Sequence, residues 1–128
     1  MHMYNMKEAV KILVVDDDEE IGIMLKMILE YNKFKVTVMQ RAENTETVAK
    51  ELDADLIILD MLIAGIKGSD VCKQLKANYA TKNIPVIMIT ALPEIEQICK
   101  DAGADDFLAK PFDIDSLLNK VNQFCKVA

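Results

Sequence analysis

The sequence predicts an α/β fold, a doubly wound parallel sheet of five strands covered by helices on both faces. Three observations carry this reading. Short apolar runs rich in β-branched residues recur five times, and each is followed by a segment with apolar residues at helical spacing. The runs are apolar throughout rather than alternating, as expected of strands buried on both sides in a parallel sheet.

The first strand falls at residues 12–15, and the helix after it carries Ile21, Leu25 and Ile28 on one face. Residues 36–39 give the second strand, followed by Thr45, Val48, Ala49 and Leu52 at helical spacing. The third strand, 56–59, leads to Val71, Cys72 and Leu75; the fourth, 85–89, leads to Ile95, Ile98, Cys99 and Ala102. A weaker run at 106–109 precedes Ile114, Leu117, Leu118, Val121 and Cys125. Asp113 is placed to cap the last helix, and Gly103 to end the fourth.

A chain of 128 residues with 52% hydrophobic composition suits one domain over residues 1–128, its core at about 11–126. A domain of this size buries roughly two-thirds of its unfolded surface. No internal repeat, linker or low-complexity segment interrupts it, and nothing is left over for an output domain. The formal charge of −6 and pI near 4.7 argue against direct nucleic-acid binding through phosphate neutralisation, and against an anionic membrane surface. No apolar run approaches the ~18 residues of a membrane span, and the N-terminal "MHMYNMKEAV" lacks the apolar core of a signal peptide. No membrane insertion is expected, and a cytoplasmic location is. Cys72, Cys99 and Cys125 sit at apolar helix positions without a CxxC or Cys/His spacing, and the only histidine is His2, so packing is their expected role.

In an open α/β sheet, ligands bind outside the carboxyl ends of the strands. There the sequence concentrates its polar residues: Asp16, Asp17 and Asp18 after the first strand, Asp60 after the third, Thr90 after the fourth and Lys110 after the fifth. Glu19 and Glu20, with Asp18, suit a helix start, where the dipole favours anions. Carboxylates gathered within a few ångströms repel, and one takes up a proton unless a cation compensates. Mg²⁺ with oxygen ligands is the simplest compensation, because it favours one or two carboxylates plus waters and phosphate oxygens. Carboxylates, Mg²⁺, a lysine and a hydroxyl suit phosphoryl transfer, and an aspartate can itself be the nucleophile. Each residue alone fits a bland role as a cap, a β-former or a surface lysine. Their joint appearance at successive strand ends does not.

The segments "ILVVDDDEEI", "DLIILDMLIAGIKG", "IPVIMITA" and "GADDFLAKPF" resemble the receiver domain of two-component response regulators, over about residues 11–124. The resemblance implies a flavodoxin-like sheet in the order 2-1-3-4-5. It also implies that Asp60 accepts a phosphoryl group from a histidine kinase or histidine phosphotransfer protein, that Lys110 holds a phosphoryl oxygen, and that the Lys110–Pro111 bond is cis. Mg²⁺ would be bound directly by Asp17 and Asp60, through water by Asp16, and by the backbone carbonyl of Leu62. Thr90 and Phe107 would form the switch, shifting together on phosphorylation and reshaping the face of the fourth helix, fifth strand and fifth helix. Leu62 and Leu92 stand at the two positions that flank the attacking water in the family; leucines there would exclude it and slow dephosphorylation. The downstream target is not named by the sequence.

Departures from the family pattern also carry expectations. Ala64 replaces the usual proline after the acceptor strand, removing a φ restraint. Phe107 replaces a frequent tyrosine. The stretch from Thr90 to Gly103 is about two residues short and holds Pro93, so a shortened fourth helix is expected, and partner contacts cannot be assigned to that face by analogy. Two other classes compete. A Mg²⁺-dependent phosphohydrolase with an aspartyl nucleophile would need its nucleophile motif within "DDDEE", but leaves the Lys-Pro-Phe and Thr-Ala elements unexplained. A phosphorylation-independent pseudo-receiver would not need Asp16, Asp17, Asp60, Thr90 and Lys110 together.

Overall fold

A computed structural model of the chain describes residues 9–92 and 96–125. Five strands form one sheet: β1 (Lys11–Val15), β2 (Lys35–Met39), β3 (Leu56–Asp60), β6 (Val86–Thr90) and β7 (Asp106–Ala109). Two further strands, β4 (Leu62–Ile63) and β5 (Ile66–Lys67), make a separate antiparallel ribbon. The helices are α1 (Glu19–Tyr31), α2 (Thr45–Leu52), α3 (Gly68–Ala77), α4 (Glu96–Asp101) and α5 (Ile114–Phe124). The sheet is parallel in the order β2-β1-β3-β6-β7, which is 2-1-3-4-5 when the ribbon is left out of the count. Fold class and strand order are as expected from the sequence.

Strand residues alternate between two cores because successive side chains point to opposite faces. Leu13, Val15, Ile57, Leu59, Val86 and Met88 pack toward α2, α3 and α4, meeting Ala49, Leu75 and Cys99. Ile12, Val14, Leu56, Ile58, Ile87 and Ile89 pack toward α1 and α5, meeting Leu25, Leu29, Leu117 and Val121. Both faces are therefore closed to water, which accounts for the unbroken apolar runs. Cys72 and Cys99 lie in the first core and Cys125 in the second, all three as buried free thiols. Burial pushes the thiols of Cys72 and Cys125 up to about 11 and raises that of Cys99.

Element ends follow local chemistry. The Asp18 carboxylate accepts the N–H groups of Glu20 and Ile21 and caps α1, while Asp113 accepts the Ser116 N–H at 2.7 Å and caps α5. Gly103, at φ 96°, turns the chain out of α4. Two strands run one residue further than the sequence indicates: Asp60 pairs with Ile89 and Thr90 with Ala109, so the acid and the hydroxyl are the last residues of β3 and β6. The fourth strand begins at Val86 rather than at Pro85, which has no N–H to give to a ladder. α4 is the shortest helix described, with six residues, in line with the shortened stretch before Gly103. Pro93 and Ile95 lie outside the described residues. Among the described residues no helix is long and apolar enough to cross a membrane.

Gly68 is the residue on which the site end of the sheet is packed. It opens α3, is itself buried, and donates its N–H to the Met61 carbonyl at 2.5 Å. A Cβ there would overlap the carbonyl oxygen of Asp60 and sit 3.0 Å from Met61 Cα, both backbone atoms that cannot move independently. Gly68→Ala is expected to lower stability by about 1–3 kcal/mol, the usual cost of overpacking. A urea-unfolding midpoint equal to that of the wild type would show that β3 and α3 separate more easily than this packing implies.

Candidate functional site

The carboxyl ends of β1, β3, β6 and β7 bring together residues from four separate segments of the chain. Asp16 follows β1, its N–H bonded to the Met39 carbonyl at 3.0 Å, so the backbone still runs with the sheet. Its side chain is buried, with one oxygen accepting the Asp18 N–H at 2.9 Å and the other 3.3 Å from Lys110 Nζ. Asp60, only 8% exposed, has Oδ1 3.4 Å from the same Nζ. Lys110 is fixed through its own backbone, donating its N–H to the Thr90 carbonyl at 2.7 Å, and its bond to Pro111 is cis. Asp17 is exposed; its Oδ2 accepts the Ala64 N–H at 2.7 Å. One carboxylate oxygen from each of Asp16, Asp17 and Asp60 lies within 4.8 Å of the others.

Three carboxylates thus face one ammonium, and the two ammonium contacts are long for charge-assisted bonds, which run roughly 2.7–2.9 Å. Burial pushes the Asp60 carboxyl up to about 6, helped by the charge of Asp16 and opposed by Lys110. The donor set fits a hard divalent cation. Oxygens around Mg²⁺ are separated by roughly 3 to 4 Å, close to the spacing already present, and such an ion would remove the repulsion.

Other residues singled out in the sequence surround this cluster. Thr90 is buried, and its hydroxyl oxygen accepts the Leu92 N–H at 3.0 Å. Phe107 pairs with Met88 across β6 and β7 while Ala109 pairs with Thr90, so Thr90 and Phe107 are diagonal neighbours on one sheet face. Phe107 is half-buried against the α2–α4 core. Leu62 in β4 and Leu92 after β6 are 59% and 54% exposed, two residues beyond Asp60 and Thr90. An open groove of about 910 Å³ between α1 and the β2–α2 connection, lined by Ile23, Lys26 and Arg41, contains none of these residues.

Two contributors were not singled out by side-chain reasoning, Gly68 and the backbone amide of Ala64. Ala64 adopts φ 49°, a conformation proline cannot take, and uses an N–H that proline lacks. The substitution that in the sequence signals only a lost restraint here supplies a hydrogen bond to Asp17.

Residues 12–122 match the response regulator receiver domain family. The DNA-binding dual master transcriptional regulator RpaA of Synechocystis is 36% identical over 113 residues, covering 87% of this chain and 47% of that protein. The chain spans about half the length of such relatives. A response regulator structure from Chloroflexus aurantiacus is 29% identical, with a TM-score of 0.86 over 91% of this chain and 98% of that one. The receiver domain of the sensor histidine kinase PA1611 from Pseudomonas aeruginosa shares the fold at 24% identity and a TM-score of 0.83, over 91% of this chain and 98% of that one, and carries magnesium in its active-site cleft. These relatives correct one expectation. Net charge argues against direct nucleic-acid binding, yet the similar RpaA is a DNA-binding regulator. A net charge of −6 therefore does not exclude nucleic acid as a partner.

The raised Asp60 value has a consequence for stability when no divalent ion is present. The folded protein holds this proton more tightly than the unfolded chain between about pH 4 and pH 6, so stability falls as pH rises through that window. Above it the full cost of the buried charge applies. In EDTA, Asp60→Asn is expected to be more stable than wild type at pH 7.5, by on the order of 1–3 kcal/mol, and the gain should vanish toward pH 4. Urea unfolding at both pH values checks this; a gain independent of pH would assign it to something other than the carboxylate charge.

Proposed function

The chain belongs to the response regulator receiver domain family of two-component signalling, and we propose that it takes a phosphoryl group from the phosphohistidine of a histidine kinase or phosphotransfer protein onto Asp60. The observation that carries this reading is the convergence of Asp16, Asp17 and Asp60 on one point beside Lys110. In this reading the Asp60 carboxylate attacks phosphorus as the phosphorus–nitrogen bond to the partner's imidazole breaks. Asp17, Asp60 and the Leu62 carbonyl, with Asp16 through water, would hold Mg²⁺, which would supply charge neutralisation for the transferring oxygens. Lys110, already poised between Asp16 and Asp60, turns its ammonium to one phosphoryl oxygen. The chemistry the chain performs is confined to its own phosphorylation and dephosphorylation.

The acyl phosphate is read by neighbours on the sheet edge. Thr90 exchanges its contact with the Leu92 N–H for a phosphoryl oxygen, and Phe107, diagonal to it, moves into the space behind. This is a population shift between two arrangements, biased by the contacts of the new dianion in one of them. The face formed by α4, β7 and α5 changes with it; the Lys120–Asp106 ion pair, at 3.0 Å, ties α5 to β7 on that face.

Incubation with acetyl phosphate and Mg²⁺ should add one phosphate to the intact mass, and Asp60→Ala should abolish the adduct. No adduct on wild type, or an undiminished one on Asp60→Ala, would overturn the reading. The exposed leucines bear on its lifetime. Neither can hydrogen-bond an attacking water, so the phosphate on the Leu62→Asn/Leu92→Glu double variant should decay several-fold faster than on wild type. Equal or slower decay would remove these residues from control of hydrolysis.

A further inference from the structure

We propose that the Ala64 backbone amide is a positioning group for Asp17, holding that carboxylate in place for the divalent ion. The inference rests on the metal site described above and deepens it. Asp17 is exposed and lies in a cluster whose net charge pushes its members apart, so an unheld Asp17 carboxylate would turn toward solvent. Among the described residues, the group hydrogen-bonded to that carboxylate is the Ala64 N–H, 47 residues away in sequence and 2.7 Å away in space.

The amide is presented by a built structure. Leu62 pairs with Lys67 and Ile63 with Ile66, leaving Ala64 and Gly65 as a two-residue hairpin loop. Their φ values, 49° and 85°, are both left-handed, as a type I′ turn requires. Ile63, fully buried in the α2–α4 core, anchors one strand of the ribbon, and Gly68 packs its far end against Asp60. The tip that carries the amide is therefore registered to the acceptor strand. Through it, Asp17 on the β1–α1 loop is tied to the segment that also bears Asp60. An amide that orients a ligand without touching the metal commonly contributes tenfold or more to affinity.

Proline at residue 64 would remove the donor and forbid the left-handed φ, whereas glycine keeps the donor and relieves the φ. Mg²⁺ binding followed by calorimetry is expected to weaken roughly tenfold in Ala64→Pro and to stay within twofold of wild type in Ala64→Gly. A purely structural role would lower the melting temperature of Ala64→Pro while leaving its Mg²⁺ affinity unchanged, and that result overturns the inference. Should Ala64→Pro not fold, amide hydrogen exchange decides. Asp17→Asn should speed exchange at the Ala64 N–H about tenfold in the ion-free protein, and unchanged exchange overturns the inference. Absence of any Mg²⁺ binding by wild type would instead remove the metal site itself, a separate outcome from equal affinity in wild type and Ala64→Pro.

Discussion

Three carboxylates against one ammonium at the edge of a dry sheet is the constraint around which the molecule is arranged. Asp16 and Asp60 are buried where water cannot screen them, and Lys110 reaches both at distances too long to settle the account. An isolated chain would relieve the repulsion by letting the strand ends drift apart. Here they cannot. β1 and β3 are neighbours in the sheet, Lys110 is bonded through its backbone to Thr90, and both faces of the sheet are sealed by helices. The apolar interior thus holds an excess of negative charge at the sheet edge that a divalent cation would relieve.

The same geometry explains why the groups proposed to respond to phosphate lie where they do. A parallel sheet aligns its carboxyl ends, so residues at the ends of adjacent strands are neighbours without any loop having to place them. Asp60, Thr90 and Lys110 follow one another across the edge in this way, with Phe107 on β7 three residues before Lys110. Loops add what strands cannot supply: the Asp17 carboxylate, the Ala64 amide and the exposed leucines beside the acids.

Much of this was legible in the sequence because strands buried on both sides leave an unambiguous trace. Runs such as that ending in Asp60 give both the element and the place where it stops, and the topological rule for open sheets then collects the polar residues at one edge. Backbone groups leave no such trace. The Ala64 amide is invisible to an inventory of side chains, and its value depends on a left-handed φ set by the two-residue loop. A ribbon with two-residue strands is also too short for periodicity to register. The part played by Gly68 is likewise visible only once the Asp60 carbonyl is seen against it. Net charge failed for a different reason: it is a sum over the whole sequence, and a sum says nothing of where charges of either sign are gathered.

The three buried cysteines acquire significance from where they fall. Cys72 and Cys99 belong to the core under α2–α4, and Cys125 to the core under α1 and α5. With values near 11, the thiols of Cys72 and Cys125 are almost wholly protonated at neutral pH as well as hidden, and so are poor nucleophiles twice over. Reagents that consume thiolates must therefore wait for a layer to open. The two sides of the sheet carry separate clocks, and their rates of alkylation would tell which helical layer loosens first when the charge at the sheet edge changes.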